Sequence, residues 1–230
     1  MSRDYGQYCG LARALDVVGE RWNLLIVREL LIKPARYGEL RDGLSGIATN
    51  LLTVRLRDLE AAGVIERRLA PDGNAITYAL TPWGAQLREP INGLIRWSTP
   101  LMIRGPGDDE FRPDGLFVAL PALFAGRVPT KRGVSVAVVV EPVRVQLHAT
   151  ASGVEVSEPD GRDLAAVLTA DGALVLGLSA GALTLEHVRA LVDIEGDESA
   201  LRNFFEAPHS AAECTGVISA MPYPQPAEES

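Results

Sequence analysis

The sequence contains no apolar run long enough to cross a membrane. Its longest apolar stretches are short, such as residues 134–140, whereas a transmembrane helix needs about 20 predominantly apolar residues. The first ten residues, MSRDYGQYCG, also have no apolar segment of the kind that a secretion signal carries. We therefore expect a cytoplasmic protein.

Cysteine is scarce, with only Cys9 and Cys214 in the chain. Two cysteines form neither a disulfide framework nor a zinc site, and His148, His187 and His209 do not have the spacing of metal ligands. We therefore expect no metal and no cofactor. For Cys9 two interpretations remain: a small buried hydrophobic side chain, or a redox-sensitive thiol, which would need a lowered pKa.

The chain as a whole lacks the positive charge that binding to nucleic acid usually requires, since its formal net charge is −8. Its two halves differ, however. Residues 1–104 hold 14 Arg and Lys against 11 Asp and Glu, a net of +3, whereas residues 105–230 hold 8 against 19, a net of −11. This asymmetry predicts two parts with different partners.

Turn-forming residues suggest where the chain divides. The stretch RGPGDDEFRPDG, residues 104–115, combines Gly, Pro and acidic residues and is typical of a linker. We predict two domains, one mainly α and one α+β. The predicted units are a mainly α domain over 1–104, a linker with a packing helix over 105–133, an α+β domain over 134–210 and a flexible tail over 211–230.

The first half alternates helical segments with turns. Amphipathic or apolar patterns predict helices within residues 11–20, 21–33 and 36–44, and Pro34 should end the second of them. Residues 44–47 predict a turn. Two alternating segments further on, joined by the turn sequence PDGN, predict a β-hairpin. A last helix is predicted within 81–102, with a Thr81 cap, Pro82 at its first position and Pro90 as a candidate kink.

The segment that begins TNLLTVRLRDLEAAG, residues 49–63, predicts the fourth helix, and Gly63 is a natural end for it. An apolar stripe repeats at helical spacing and should face the core, comprising Ala48, Leu52, Leu56 and Leu59. The opposite face is short, polar and cationic, comprising Asn50, Thr53, Val54 and Arg57. A helix that only filled a core would not need such a face.

Helix, turn, helix and hairpin, in this order, predict a winged helix-turn-helix, with the polar face of the fourth helix in a major groove. We predict base contacts from Thr49, Asn50, Thr53, Val54 and Arg57. We predict contacts to the DNA backbone from Arg36 and Tyr37 at the start of the third helix, from Arg55, and from Arg67 and Arg68 on the hairpin.

Structural alternatives exist for several of these residues. Arg55 and Arg57 lie three residues before Asp58 and Glu60, a spacing that allows ion pairs on the helix surface. Arg36 and Tyr37 have a second interpretation, as a surface cation and a packed ring. Five further side chains are expected in the core or lining a pocket, namely Trp97, Leu116, Leu201, Phe204 and Phe205.

Residues 9–88 resemble the HxlR family of bacterial transcription regulators, which are related to the MarR winged helices. The resemblance runs through CGLARALDVVGERWNLLIVRELL, RYGELRDGLSGIATNLLTVRLRDLEAAGVIERR and ITYALTPWGAQL. It implies a homodimer paired through the terminal helices, with half-sites of a pseudo-palindromic operator roughly 34 Å apart, and more commonly repression than activation. Asn50 and Val54 depart from the residues usual in the family; Asn50 suits an adenine and Val54 a thymine methyl group.

The second half has a different pattern. Strands are predicted within 134–140, 143–150 and 154–158, and residues 162–170 fit a strand or a short helix. Helices within 171–182 and 184–192 follow, and then a strand and a helix capped at Gly196–Asp197. The order resembles a sterol carrier protein type 2-like domain, most clearly in LVDIEGDESALRNFF. The resemblance implies an apolar tunnel for a lipid-like ligand, and a helix within 114–126 would pack between the domains.

Two other functions are alternatives to a regulator. One is a lipid carrier whose winged helix serves only dimerisation. The other is a small esterase built on Ser179, because GLSAG, residues 177–181, matches the G-x-S-x-G nucleophile motif. That motif needs a parallel sheet and an oxyanion loop that the chain does not offer. We therefore predict a protein that is not an enzyme.

Overall fold

The computed structural model describes residues 4–70, 73–105 and 107–209. Cys214 and the tail predicted over 211–230 lie outside the described residues. The first half contains five α-helices and a two-stranded antiparallel hairpin, and two short 3₁₀ segments flank its last α-helix. These elements are α1 (Gly10–Val18), α2 (Asn23–Ile32), α3 (Tyr37–Gly43), α4 (Thr49–Ala61), β1 (Ile65–Leu69), β2 (Ile76–Leu80) and α5 (Arg88–Ser98). The predicted order of helices and hairpin is confirmed.

The apolar stripe of α4 faces the core of the first half. Leu52, Leu56 and Leu59 are each at most 2% exposed. Ala48 was placed on the same face, and this was wrong: it is exposed, because α4 begins at Thr49 and Ala48 is only its N-terminal flanking residue. Gly63 follows the helix with φ of 75°, a backbone conformation that favours glycine and so ends the helix here.

The helix predicted over 81–102 is interrupted. Thr81 does cap it, since its Oγ1 accepts the Gly84 N–H at 3.0 Å, but the first turn is 3₁₀ and the α-helix starts only at Arg88. Pro90 therefore lies in the first turn of α5, where its missing N–H has no partner to lose. For this reason Pro90 is accommodated in the first turn of the α-helix and does not kink it.

Within the described residues, the second half contains a mixed five-stranded sheet, four α-helices and a short 3₁₀ segment. Its elements are α6 (Leu116–Phe124), β3 (Ser135–Val140), β4 (Val143–Ala149), β5 (Val154–Ser157), β6 (Ala166–Thr169), α7 (Gly172–Ser179), α8 (Leu185–Val188), β7 (Asp193–Gly196) and α9 (Glu198–Phe205). The strand order is β5-β4-β3-β6-β7, and only β3 and β6 are parallel. Residues 162–170 thus contain a strand, and α8 is shorter than the helix predicted over 184–192.

Helix α6 belongs to both cores. Leu120 and Phe124 pack between the sheet and the helices of the second half, whereas Val118 packs with the core of the first half. Arg96 on α5 donates to the Ala122 carbonyl at 3.5 Å. The helix predicted within 114–126 is therefore present and contacts both halves.

Most of the expected core side chains are buried, namely Leu116, Leu201, Phe204 and Phe205. Trp97 is not, since 76% of it is exposed. It lies on a face of α5 that no other part of the described chain covers, together with Leu94 at 47% exposure. Helical spacing cannot distinguish a core face from an exposed apolar face, so the prediction for Trp97 was wrong.

A buried cation joins two helix ends in the second half. Arg127 is 3% exposed, and its guanidinium donates to the Ser179 carbonyl at the end of α7 at 2.8 Å and to the Phe205 carbonyl at the end of α9 at 2.5 Å. Helix C-termini carry partial negative charge and carbonyls without intrahelical partners. Arg127 therefore satisfies both ends at once, and its burial lowers its pKa from the usual value.

Candidate nucleic-acid interface

The first turn of α4 is held by a small hydrogen-bonded cluster. The Tyr37 hydroxyl lies 2.8 Å from the Thr49 carbonyl oxygen and 3.2 Å from Thr53 Oγ1. Thr53 Oγ1 in turn lies 3.0 Å from the same carbonyl. Tyr37 at the start of α3 is thus half-buried and fastens α3 to the beginning of α4. This contact suits a positioning role as well as the predicted backbone contact.

Four of the five predicted base-contacting residues of α4 are exposed to solvent. Val54 is 45% exposed, Thr49, Asn50 and Arg57 are also exposed, and Thr53 is half-buried. Asn50 Oδ1 accepts the Leu51 N–H at 2.9 Å, and its amide nitrogen donates no hydrogen bond within the described residues. Arg57 makes no ion pair within the part of the chain that the structure describes. The face therefore combines an amide, an apolar side chain and an uncommitted cation.

Arg55 has a different environment from Arg57. Its side chain is only 17% exposed and forms ion pairs with Glu20 at 2.9 Å and with Asp58 at 3.2 Å. The pair with Asp58 was foreseen from the helical spacing. Glu20 lies between α1 and α2, so its pair with Arg55 connects α4 to that loop. Arg55 is accordingly better placed to orient α4 than to read a base.

The two hairpin arginines are both paired with carboxylates. Arg67 binds Glu60 at 2.8 Å, and this hydrogen bond raises the pKa of Arg67 above its usual value. Arg68 pairs with Glu66 on the same strand. The pairing of Glu60 with Arg57, which the spacing allowed, is wrong, because the hairpin folds Arg67 onto Glu60 instead. Phosphates would have to compete with these carboxylates for the hairpin cations.

A carboxylate also occupies the start of α3. The Glu39 side chain accepts the Arg36 N–H at 2.5 Å, and Arg36 itself is exposed. The N-terminus of a helix attracts anions because its first N–H groups have no partners within the helix. The Glu39 carboxylate thus already occupies part of the site at the start of α3 where we expected a phosphate.

Cys9 is exposed, so its interpretation as a buried hydrophobic side chain is wrong. It immediately precedes α1, and the backbone N–H groups of Ala12 and Leu11 lower the pKa of its thiol. An exposed thiol at a helix N-terminus, with its thiolate stabilised, is the type of site that reacts with oxidants or electrophiles.

A cavity of about 810 Å³ opens beside α1. Its walls are mainly apolar and include Val17, Val64, Trp83 and Leu87, and the paired side chains Asp4 and Arg13 also line it. The tunnel was expected in a different place, between the sheet and the helices of the second half. In that region the structure packs Leu147, Leu168 and Phe204 at 0% exposure. The described cavity is thus in the first half rather than the second.

The remaining chemically suggestive residues serve the fold. Ser179 is fully buried at the end of α7, not at a strand-to-helix turn, so GLSAG forms no nucleophile elbow. His148 bonds Ser135 at 2.8 Å, and His187 helps to cap α8. Asp197 caps α9 by accepting the Ser199 N–H, as predicted. Among the described residues, no three His, Cys, Asp or Glu side chains form a group that could hold a metal ion.

Comparison with known proteins agrees with this geometry. The profile of the family described as HxlR-like helix-turn-helix matches residues 17–104. The HTH-type transcriptional regulator YvaP of Bacillus subtilis is 33% identical over 88 residues, which cover 38% of this chain and 82% of YvaP. The regulator sll1512 of Synechocystis is 36% identical over 84 residues, 36% of this chain and 62% of sll1512. The chain therefore belongs to the HxlR-like helix-turn-helix family.

A search of solved structures gives a partial match. The reduced form of the transcriptional regulator YodB from B. subtilis is 28% identical, with a TM-score of 0.37 over 43% of this chain and 99% of that one. The match to sll1512 spans less than two thirds of that relative, and the family match stops at residue 104. No helix among the described residues is long and apolar enough to span a membrane.

Proposed function

We propose that this protein is a cytoplasmic transcriptional regulator that binds a pseudo-palindromic DNA operator as a homodimer and represses transcription. The observation that carries the proposal is the outer face of α4, where Asn50, Val54 and Arg57 are exposed beside a hairpin with two arginines. Such a face matches the donor, acceptor and methyl pattern of a major groove. The membership in a family of helix-turn-helix regulators supports the same function.

The residues divide into two roles in this proposal. Thr49, Asn50, Thr53, Val54 and Arg57 face the bases. The backbone contacts come from the residues around them, namely Arg36, Tyr37, Arg55, Arg67 and Arg68. Because Arg55, Arg67 and Arg68 each have a carboxylate partner, their phosphate contacts require an exchange of ion pairs. An arginine that must first leave a carboxylate therefore contributes less to the affinity for DNA than an unpaired arginine does.

Exposed apolar side chains support the homodimer. Leu11 and Leu15 on α1 are 68% and 39% exposed, and Leu94 and Trp97 on α5 are 47% and 76% exposed. Large exposed apolar side chains favour burial against another chain. A dimer through α1 and α5 would pair two copies of α4 on successive turns of DNA, roughly 34 Å apart.

An apolar small molecule is proposed as the effector. The sterol carrier protein type 2-like resemblance placed it in the second half. The cavity beside α1 supports a second location, because about 810 Å³ is a suitable volume for a drug-sized ligand. In either place the ligand would regulate binding only if its affinity differs between the DNA-bound and free conformations.

The test is fluorescence anisotropy of the full chain on DNA from its own upstream region, with scrambled DNA as control, across a salt series. We expect binding to the upstream DNA to be tighter by on the order of a thousandfold, and to weaken as salt rises. Binding that is absent or independent of salt would overturn the proposal. That result would favour the alternative, a lipid carrier whose winged helix serves only dimerisation, and lipids extracted from the purified protein would then be analysed by mass spectrometry.

A further inference from the structure

Three consecutive residues that precede α6 contact both halves of the molecule. We call this segment, Glu110–Arg112, the strap. It has no regular secondary structure. Its outer members, Glu110 and Arg112, contact the helix-turn-helix, and its middle member, Phe111, contacts the second half. The segment expected to be a plain linker is therefore bound on both sides.

On the helix-turn-helix side, the strap holds the turn before α4. Ser45, in that turn, donates its Oγ hydrogen to Glu110 at 2.9 Å. Arg112 donates to the carbonyl of Asp42, at the end of α3, at 2.9 Å, and lies 3.5 Å from the carboxylate of Glu29 on α2. Glu29 is only 11% exposed, so its interaction with Arg112 is partly shielded from water. These contacts reach α2, α3 and the turn.

On the other side, Phe111 packs against the core of the second half and covers Gly172, the first residue of α7. The approach is so close that a Cβ atom added to Gly172 would stand 2.1 Å from a carbon of the Phe111 ring. The ring therefore fits here only because position 172 has no side chain. A shift of the start of α7 would displace the ring.

We propose that the strap transmits conformational changes of the second half, through Phe111, to the turn between α3 and α4, and so sets the orientation of the recognition helix. Neighbouring Cα atoms are about 3.8 Å apart, so Phe111 cannot move far without moving Glu110 and Arg112. The contact of Phe111 with the second half and the contacts of Glu110 and Arg112 with the helix-turn-helix therefore change together. The regulatory consequence rests on the proposed function, whereas the coupling itself is a property of the fold.

Two glycines of α7 provide a matched test. Gly172→Ala places a methyl group against Phe111, whereas Gly177→Ala places one 2.6 Å from Leu183 Cδ1, away from the strap. Both changes add the same group to the same helix. Hydrogen–deuterium exchange of the full chain, without DNA, would report on the amides of residues 42–48. We expect about fivefold faster exchange there in Gly172→Ala, near the lower end of couplings between distant sites, and no change in Gly177→Ala.

The exchange rate of the α5 amides is the internal reference. Helix α5 contacts α6, but it makes no hydrogen bond or ion pair with the strap within the described residues. Equal acceleration at residues 42–48 in both variants would mean general loosening of the second half and would overturn the proposal. An unchanged Gly172→Ala protein would overturn it too. Should Gly172→Ala not fold, Glu110→Ala tests the same path from the strap itself.

Glu110→Ala has its own matched control in Asp109→Ala, which removes the same charge from an exposed neighbour. We expect the exchange rate at residues 42–48 to rise about fivefold only in Glu110→Ala. Equal increases in the two variants would mean that the loss of a negative charge explains the effect, and would contradict the proposal. DNA binding is measured separately by anisotropy. If the unmodified chain binds no DNA but the exchange results are as expected, the proposed function is refuted and the coupling between the halves is still supported.

Discussion

The hydroxyl oxygen of Tyr37 lies 2.8 Å from the carbonyl oxygen of Thr49, so the first residue of α3 is bonded to the first residue of the recognition helix. This bond fixes the end of α4 that would enter a major groove. It also shows that a residue predicted to contact phosphate has a second task within the fold.

Replacing Tyr37 with Phe removes this bond and keeps the ring. We expect the free energy of unfolding to fall by about 0.5–1.5 kcal/mol and the affinity for the operator to fall roughly two- to tenfold. Urea unfolding and anisotropy measure the two effects. Tyr78→Phe is the control, because the Tyr78 hydroxyl has no hydrogen bond within the described residues. Equal losses in both variants would contradict the role given to Tyr37.

Arg57 tests base reading. In the proposed complex, Arg57→Ala should weaken operator binding by about 1–3 kcal/mol and leave binding to scrambled DNA nearly unchanged. A uniform loss on both DNAs, with a salt slope smaller by about 1, would assign Arg57 to a phosphate instead. Arg144→Ala removes an exposed cation of the second half and should change neither.

The carboxylate of Glu60 accepts a hydrogen bond from Nε of Arg67 at 2.8 Å. Glu60→Gln removes that negative charge and leaves only a neutral amide oxygen, which binds the guanidinium less strongly, so we expect tighter binding to any DNA and a salt slope steeper by up to about 1. Anisotropy across a salt series measures both quantities. Asp163→Asn, which makes the same charge change on the second half, is the control. If the two variants behave alike, net charge explains the result and the ion pair does not.

Cys9 should react at lower pH in the folded protein than in the unfolded one. The N–H groups of Leu11 and Ala12 stabilise the thiolate and lower its pKa only while α1 is formed. Because the thiolate is the nucleophile, the pH midpoint of alkylation should lie below that measured in urea. The experiment uses a Cys214→Ser background so that one thiol is followed. Coincident midpoints would rule out the helix as the cause.

Arg127 supports the second half from within. Arg127→Met leaves the carbonyls of Ser179 and Phe205 without their donor, and we expect the free energy of unfolding to fall by about 2–4 kcal/mol. Urea unfolding measures it. Arg202→Ala, which removes an exposed arginine of α9 with two ion pairs, should have a much smaller effect. A similar loss in both variants would show that the buried position has no special importance.

Local patterns predicted the elements well. The leucine spacing of α4, the PDGN turn and the Asp197 cap each depend on residues a few positions apart, and the structure has the corresponding helix, hairpin and capped α9. Predictions were wrong where burial depends on distant packing or on the position of a helix boundary. Trp97 is exposed because its face of α5 has no neighbour in the described chain, and Ala48 is exposed because the helix begins one residue later.

The sequence by itself determined the helix-turn-helix, the hairpin and the polar outer face of α4, since periodicity and turn chemistry are short-range properties. Only the tertiary structure decided which cations are committed. The hairpin brings Arg67 to Glu60, and the loop before α2 brings Glu20 to Arg55. It alone also joined Glu110 to Ser45 and Phe111 to Gly172. These pairs are separated by up to 65 residues, and their contact depends on how whole elements pack, which no local pattern specifies.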